Sequence, residues 1–284
     1  MGVYAVTGSA SGMGKAVVTR LQQDDHTVIG VDIKDAEVQA DLSAATARSH
    51  AAGEVLRRAG GKLDGAVFAA GLGPVAGREK LIAQVNYHGV VDLLTAWRPA
   101  LAAAGGAHVV VYSSNSTTTV PAVPRAVVKA FLANRPELAV KISALMGKRA
   151  YPAMVYAGSK IALSHWVRRH AVSAEWAGAG IRLNALAPGA ILTPMLEQQL
   201  ADPATAGAIE TFPIPIGEYG RPEDLAEWTV FMMSAYSDFL CGSVVFVDGG
   251  TDAYFRPNDW PNALGLLRLP QYLRKMKRFV PPSR

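Results

Sequence analysis

The chain has 284 residues, half of them hydrophobic, a net charge of +5 and a single cysteine, Cys241. This length can bury a sizeable core, and one cysteine excludes both a disulfide framework and a CxxC metal cluster. Gly, Pro or charged residues interrupt every apolar stretch before the roughly 18 residues that a membrane-spanning helix needs. Because Met1 runs directly into a strand pattern without a signal peptide, we expect a cytoplasmic protein. We also expect no metal site and no nucleic-acid partner.

The positive charge is concentrated in two segments. Residues 116–150 carry six basic residues against one acidic residue, and residues 251–284 carry seven against two. Each segment therefore has a net charge of +5, which leaves the rest of the chain mildly acidic. We interpret the two segments as basic appendages on an acidic body.

Apolar runs of strand length alternate with amphipathic stretches of helix length along residues 1–250. Several runs are nearly continuous Val, Ala, Leu and Ile, as expected for strands that helices cover on both faces. This alternation predicts an α/β fold, a single doubly wound Rossmann domain with a seven-stranded parallel sheet. The predicted strands are 3–6, 27–31, 38–40, 66–69, 108–112, 182–186 and 243–247, and the predicted helices are 12–23, 44–59, 78–104, 154–177 and 223–235.

The first predicted strand leads into a glycine-rich turn and then into a helix. Glycines let the backbone approach a pyrophosphate closely, and the free N–H groups and positive dipole end of the helix attract it. A glycine turn alone is weak evidence, because small residues also pack a helix against a strand. Here strand, turn, helix and second strand follow in order, so the pattern predicts a dinucleotide site. The turn runs from Thr7 and contains Gly8, Ser11, Gly12, Met13 and Gly14.

The second predicted strand ends in a carboxylate, Asp32. At that point it can accept hydrogen bonds from the adenosine ribose and would repel the additional phosphate of NADP. NAD is therefore the expected cofactor, although Asp32 taken alone could be an ordinary turn residue. Lys15, directly after the glycines, could instead assist a phosphorylated ribose, and we expect it to be solvated.

Tyr156 and Lys160 are four residues apart in a predicted helix, so they share one face. A phenol with its ordinary pKa of about 10 is a poor base at neutral pH, and a neighbouring ammonium would lower that pKa. The pair predicts Tyr156 as an acid/base and Lys160 as its activator. The same spacing arises by chance on protein surfaces, and the dinucleotide pattern upstream is what favours a function here.

With these motifs the chain resembles the classical short-chain dehydrogenases/reductases over residues 2–250. The resemblance implies an NAD(H)-dependent oxidoreductase that interconverts a secondary alcohol and a ketone. It also implies that Ser114 polarises the substrate oxygen and that Asn86 belongs to a proton relay. Further cofactor contacts implied by the resemblance, besides Tyr156 and Lys160, are Ile33, Asp41, Leu42, Ala70, Gly71, Pro188, Gly189, the backbone of Ile191, and Thr193.

The chain departs from the pattern of that family in two places. The usual Asn-Asn-Ala-Gly is replaced by residues 68–71, Phe-Ala-Ala-Gly, so a backbone or water substitute must replace the asparagine that bridges strands. Ser114 and Tyr156 are 42 residues apart instead of about a dozen, which makes residues 116–150 an insertion. The insertion looks helical and amphipathic. Together with residues 31–38 and 70–74, it resembles the hydroxysteroid dehydrogenase/carbonyl reductase type within the family.

In that type the insertion covers the helices through which most members dimerise. The resemblance therefore implies a homo-oligomer, a dimer or tetramer, that associates through another surface, such as helix 223–235 and strand 243–247. The alternative is that the insertion is a solvated excursion with no role in assembly.

The segment 190–221 should hold the substrate, because ligands of such sheets bind beyond the carboxyl ends of the strands. Its apolar residues predict a bulky lipophilic alcohol or ketone, such as a hydroxysteroid, a terpene or an aromatic ketone. Half or more of these residues could simply pack the loop. The candidates are Met195, Leu196, Leu200, Ile209, Phe212, Ile214 and Ile216, with Leu72, Val75 and Trp97 from elsewhere.

Residues 251–284 mix apolar residues with cations, notably from Ala263 to Phe279. This tail could lie on an anionic membrane surface, pack on a partner subunit or remain a disordered extension, and Pro270 argues against one continuous helix. Two other functions could use the same fold, an NAD(H)-binding sensor or assembly module and an isomerase or dehydratase without net cofactor turnover. The presence of Ser114, Tyr156 and Lys160 favours the oxidoreductase.

Overall fold

The computed structural model describes residues 1–203, 205–259 and 265–279. Seven strands form one sheet in the order β3-β2-β1-β4-β5-β6-β7, and each neighbouring pair is parallel. The predicted doubly wound α/β fold with a seven-stranded parallel sheet is therefore confirmed. The strands are β1 Val3–Thr7, β2 Thr27–Asp32, β3 Val38–Gln39, β4 Gly65–Phe68, β5 His108–Tyr112, β6 Arg182–Pro188 and β7 Val244–Val247.

The helices follow the predicted order, with ends that shift by a few residues. The helix predicted over 154–177 begins earlier, at Tyr151, since Pro152 is tolerated in a first turn. It ends at His170, after which turn bonds such as Ser173 N to His170 O (2.9 Å) replace helical ones. The helices are α1 Gly12–Gln23, α2 Ala45–Arg58, α3 Glu79–Ala83, α4 Gly89–Ala103, α5 Ser116–Thr119, α6 Arg125–Leu132, α7 Pro136–Ala144, α8 Tyr151–His170, α9 Pro194–Ala201, α10 Ala206–Glu210, α11 Pro222–Met232, α12 Thr251–Phe255 and α13 Leu269–Arg278.

Helices cover both faces of the sheet, which is why the strands are apolar along their whole length. In β5, Val109 and Val111 belong to the core shared with α2, α4 and α8, whereas Val110 and Tyr112 face the core shared with α1 and α11. The chain crosses to α1 after β1 and to the opposite layer after β4. The neighbouring carboxyl ends of β1 and β4 therefore frame a crevice where such sheets bind ligands.

The insertion, residues 116–150, folds into α5, α6 and α7, so its predicted helical character is confirmed. Val127 and Phe131 of α6 are fully buried, and α6 and α7 both pack against α8. Gly158 permits this approach, since a Cβ there would lie 2.6 Å from a Val127 methyl group. The insertion is a packed part of the body, and the alternative of a solvated excursion is wrong.

The tail contains a helix, α13, that begins with Pro270 in its first turn. The first turn of a helix does not need the backbone N–H that proline lacks, so Pro270 is compatible with the start of α13. The sequence analysis had instead expected Pro270 to interrupt a helix. The first part of the predicted apolar and basic run, Ala263 and Leu264, lies outside the described residues. Within the described ranges, the helices are too short or too polar to cross a bilayer.

Candidate active site

A cleft of about 550 Å³ opens at the carboxyl ends of the central strands. The predicted cofactor residues line it, with the exception of Ile191, whose side chain is buried beneath the cleft and whose backbone alone was predicted to contribute. Of the predicted catalytic residues, Ser114, Tyr156 and Lys160 line the cleft, while Asn86 lies behind it. The fold thus brings together groups that are up to 185 positions apart in the chain, from Gly8 to Thr193.

The glycine turn between β1 and α1 is too tight for side chains. A Cβ on Gly14 would collide with the carbonyl oxygen of Gly8, and a Cβ on Gly8 would lie 2.7 Å from the Ala70 nitrogen. Ser11, the N-cap of α1, makes no side-chain capping bond, and the first turn holds no acidic residue. The N–H groups at this helix end therefore face the cleft in a setting that suits a pyrophosphate.

Asp32 is fixed at the end of β2 by two backbone groups. Its Oδ2 accepts from Ala10 N at 3.0 Å and its Oδ1 from Ile33 N at 2.7 Å. The carboxylate stands beside the glycine turn, where a ribose next to a bound pyrophosphate would lie. Lys15 is exposed, as expected.

The segment Asp41 to Ser43 closes the far end of the cleft and is anchored by Arg48, which the sequence analysis missed. The Arg48 guanidinium donates to the carbonyls of Leu42 (3.0 Å) and Ser43 (3.1 Å) and to Asp92 Oδ2 (2.7 Å). The Asp41 carboxylate accepts from Ser43 N at 2.9 Å, and this bond lowers the pKa of Asp41. The sequence did contain one signal for Arg48, because this basic residue falls on the face of α2 that is buried.

Thr7 ties the end of β1 to the loop that follows β4, where the usual asparagine is missing. Its hydroxyl accepts from Ala70 N at 3.2 Å, and its carbonyl accepts from Ala69 N at 3.2 Å. Thr7 itself is almost fully buried at the end of β1. The two bonds, one to a hydroxyl and one to a backbone carbonyl, join β1 to the chain that follows β4.

Asn86 lies in a π-helical turn, Gln84–His88, between α3 and α4. Its amide donates to Leu72 O at 2.9 Å and accepts from Leu72 N at 2.8 Å, so it holds the loop that follows β4. A Cβ on Gly71 would lie 3.4 Å from Asn86 Oδ1 and 3.7 Å from Lys160 Nζ, so only a glycine separates the two side chains. Helical turns with an extra residue frequently occur at functional sites.

Ser114, Tyr156 and Lys160 meet where β5 and α8 border the cleft. The Ser114 hydroxyl is hydrogen-bonded to the Tyr156 phenol and also accepts from Ser116 N at 3.1 Å. Lys160 Nζ donates to the carbonyl of Tyr112 at 2.7 Å. The neighbouring Ser113 turns away from this group, because its hydroxyl is paired with that of Ser164 at 2.7 Å.

The electrostatics of this group differ from the sequence-based expectation. Burial lowers the pKa of the Lys160 ammonium to about 8. Burial also raises the pKa of Tyr156, and the hydrogen bond from Ser114 offsets this only in part. The net shift of the Tyr156 pKa is therefore opposite to the one expected from Lys160 alone, since desolvation dominates and the ammonium donates to a carbonyl. The Tyr156 phenol is consequently protonated at neutral pH.

The substrate end of the cleft is only partly lined by the predicted apolar residues. Met195 and Leu72 line it, whereas Trp97 is fully buried in the core, 5.3 Å from Phe68 between ring centroids. Among the described residues, Arg78, Leu81 and Val85 line the cleft instead. Nothing in the sequence pattern had marked these three residues as lining a cleft. The remaining candidates do not line it, and these are Leu196, Leu200, Ile209, Phe212, Ile214, Ile216 and Val75.

Comparisons with known proteins agree with this geometry. A family model described as enoyl-(acyl carrier protein) reductase matches residues 116–252. The 3-alpha-hydroxysteroid dehydrogenase/carbonyl reductase of Comamonas testosteroni is 36% identical over 260 residues, covering 92% of this chain and 100% of the relative. The chain belongs to the short-chain dehydrogenase/reductase family. The resemblance inferred from the motifs is thereby confirmed, and this member of the family is an oxidoreductase.

Solved structures place this short-chain dehydrogenase/reductase in the same context. The 3-alpha-hydroxysteroid dehydrogenase from Pseudomonas sp. B-0831, complexed with NADH, superposes with a TM-score of 0.85 at 39% identity, covering 91% of this chain and 100% of that one. The aldohexose dehydrogenase of Thermoplasma acidophilum, at 19% identity, shares the fold with a TM-score of 0.70 over 93% of this chain and 97% of its own. The fold is therefore common to several dehydrogenases.

Proposed function

We propose that this oxidoreductase interconverts a secondary alcohol and a ketone on a lipophilic substrate, a hydroxysteroid or a similar carbonyl compound, with NAD(H) as its cofactor. The observation that carries the proposal is that Ser114, Tyr156 and Lys160 share one cleft with the glycine turn and Asp32. Two relatives with the names of hydroxysteroid dehydrogenases support the substrate class. A terpene or aromatic alcohol is the alternative substrate.

The residues of the cleft fit NAD(H) from one end to the other. The N-terminus of α1 would hold the pyrophosphate, Asp32 the adenosine ribose, and Asp41 with Leu42 the adenine. Thr193, with Pro188, Gly189 and the backbone of Ile191, would position the nicotinamide carboxamide. Thr193 already lies against the glycine turn, since a Cβ on Gly12 would be 3.3 Å from its methyl group.

The catalytic roles follow from the protonation states and contacts of the three side chains. In reduction, Ser114 holds the carbonyl oxygen of the ketone and Tyr156 donates its proton to that oxygen as charge develops there. In oxidation the Tyr156 phenolate takes the proton of the alcohol while Ser114 holds the alcohol oxygen. Lys160, whose ammonium is buried beside them, stabilises the phenolate once it forms. Bound NAD(H) supplies or accepts the hydride.

Replacing the Tyr156 hydroxyl tests this assignment. Tyr156→Phe should lower kcat/KM by about 10²-fold to 10⁴-fold, because general acid/base catalysis is lost while binding groups remain. The measurement is NADH absorbance with a panel of steroid, terpene and aromatic alcohols and ketones. The control variant is Tyr151→Phe, which removes a phenol hydroxyl from the first turn of the same helix. It should change kcat/KM by less than about twofold. Equal rates for Tyr156→Phe and the unchanged protein would refute the mechanism.

Replacing Asp32 tests the choice of cofactor separately. Asp32→Ser removes the carboxylate that would repel the additional phosphate of NADP, so the preference for NAD should fall by about tenfold or more. Rates with NAD+ and NADP+ give the preference of each protein. An unchanged protein that prefers NADP+ would contradict the role of Asp32 and leave that of Tyr156 untouched.

We also propose that two copies associate through α11 and β7. β7 is the last strand of the sheet, and Trp228 and Phe231 expose nearly half of their side chains on α11. Phe239 and Tyr236, between the two elements, are almost fully exposed. Because the insertion covers α8, this apolar face with an open sheet edge is the surface that we assign to a homo-oligomer.

A further inference from the structure

The tail helix α13 presents one apolar face to solvent. Leu269, Tyr272, Leu273 and Met276 recur at intervals of three and four residues, which places them on a single side of the helix. All residues from 269 to 279 are exposed, and Met276 exposes 60% of its surface. The helix therefore keeps an apolar stripe that the described part of the body does not cover.

Cations surround this stripe. Residues 265–279 contain five basic residues and no acidic residue. With about 100° between successive helical positions, Lys275 and Lys277 fall on the two borders of the stripe, and Arg274 and Arg278 lie on the opposite side. Long basic side chains at the borders of an apolar face can keep their charges among headgroups while their methylenes follow the apolar surface.

The tail leaves the body beside the substrate segment. Thr251, the first residue of α12, donates its hydroxyl to Pro213 O at 2.8 Å, and the ring of Phe255 lies 6.4 Å from that of Phe212. α12 also packs against α5, where the basic insertion begins. The two basic appendages therefore start at neighbouring points, next to Phe212 and Pro213 of the substrate segment.

We propose that α13 docks the enzyme on an anionic lipid surface, with its apolar face in the headgroup region and its cations among the lipid phosphates. The docking goes beyond the proposed reaction and does not depend on it. If the substrate is lipophilic, as proposed above, the docked enzyme takes it from the phase in which it dissolves.

The composition of the helix favours lipid over a second copy of this chain. An anionic bilayer supplies both an apolar layer for the stripe and a dense array of negative charges for the lysines at its two borders. A protein partner would need an apolar groove with acidic rims of the same length. Tyr272, which exposes 46% of its surface, is a residue type that favours the membrane interface, and Phe279, which exposes 72%, suits the apolar side of an interfacial segment.

Flotation of the full-length protein with vesicles tests the docking. The unchanged protein should float with vesicles of phosphatidylcholine and phosphatidylglycerol, but not with phosphatidylcholine alone, and high salt should reduce the floating fraction. L273E/M276E, which places two carboxylates in the apolar stripe, should lower partitioning by about tenfold or more. Because α13 lies outside the core, this variant should unfold at the same Tm.

Two control variants show whether the loss of flotation is specific to α13. L145E/M146E adds the same two carboxylates at residues of the insertion that expose 84% and 41% of their surfaces, and it should float like the unchanged protein. Tyr156→Phe should also float normally, so a failed catalytic proposal would not affect this result. Equal flotation of L273E/M276E and the unchanged protein would overturn the proposal. So would an unchanged protein that stays unbound while L273E/M276E loses mass in light scattering, since a second copy would then cover the helix.

Discussion

The ammonium of Lys160 is buried between α8 and the end of β5, where water solvates it poorly. Its pKa falls from 10.5 to about 8 for that reason. Between these two pH values the unfolded chain binds a proton that the folded chain has released, so the free energy of unfolding rises with pH. The charged form of Lys160 thus destabilises the folded protein at neutral pH, a cost that its proposed role in the reaction would explain.

Substituting Lys160 should remove this part of the pH dependence. The gain in the free energy of unfolding of Lys160→Met over the unchanged protein should be largest at pH 8 and below. This gain should shrink by about 2 kcal/mol between pH 8 and pH 10. Urea unfolding at several pH values measures it. Lys15→Met, at an exposed lysine, should show no such trend. A difference between Lys160→Met and the unchanged protein that stays constant with pH would mean that the ammonium is well solvated.

Single residues with a named chemical task were predictable from the sequence, and those that only hold the backbone were not. Tyr156, Lys160 and Ser114 belong to motifs whose spacing carries chemistry. Thr7 and Arg48 stabilise neighbouring chain segments through one hydroxyl and one guanidinium, and any residue of suitable length could have done so. Such contacts depend on tertiary geometry, which a linear pattern does not contain.

The glycine turn acts as one element, because the backbone of Gly8 and that of Gly14 touch where β1 leads into α1. Gly8 also has a positive φ of 72°, a conformation that side chains disfavour. The close approach leaves no room for a methyl group, so the turn cannot be relaxed without moving α1 away from the sheet. Its tightness explains why the sequence pattern was informative here.

Adding a methyl group to the turn should therefore be costly, whereas the same change elsewhere should help. Gly14→Ala should destabilise the protein by about 2 kcal/mol or more through overpacking, and should weaken NADH binding. Gly53→Ala, in the middle of α2 with open space around it, should stabilise by about 0.5–1 kcal/mol. Urea unfolding compares the two variants, and a Gly14→Ala protein as stable as Gly53→Ala would show that the turn yields easily.

Among whole elements, the strands and long helices were predictable because their apolar periodicity reflects burial. The strand 108–112 was predicted with the bounds it has, and α6 and α7 were visible as amphipathic segments. The π-helical turn at Gln84–His88 was not, since its extra residue leaves no mark in the pattern of apolar residues. Most side chains of the substrate segment were also misplaced, because an apolar loop residue can face either the cleft or the body.

At the scale of the whole molecule, the open edge of the sheet and the apolar face of α11 lie at the same end of the fold. The opposite end is closed by the two-residue strand β3, which is too short to recruit another chain. The insertion takes up the surface of α8. These three features together favour association at β7.

Charge on the α11 face should therefore separate the copies. Trp228→Glu/Phe231→Glu should reduce the mass in light scattering to that of one chain, since burial of both rings is replaced by like-charge repulsion between copies. Leu145→Glu on the insertion should leave the mass unchanged. A double variant that keeps the mass of the unchanged protein, or an unchanged protein that is already a single chain, would contradict the proposed interface.

The π-helical turn has a consequence for how related chains can differ in length. Because five residues, Gln84 to His88, take the place of an ordinary turn, the helix on either side is out of phase by one position, or about 100°. Deleting a single residue there would leave a longer, regular helix, yet would rotate Leu81 and Val85 away from the cleft relative to Leu93 and Trp97 in the core. A one-residue gap at this point of an alignment would therefore mark a change of active-site shape.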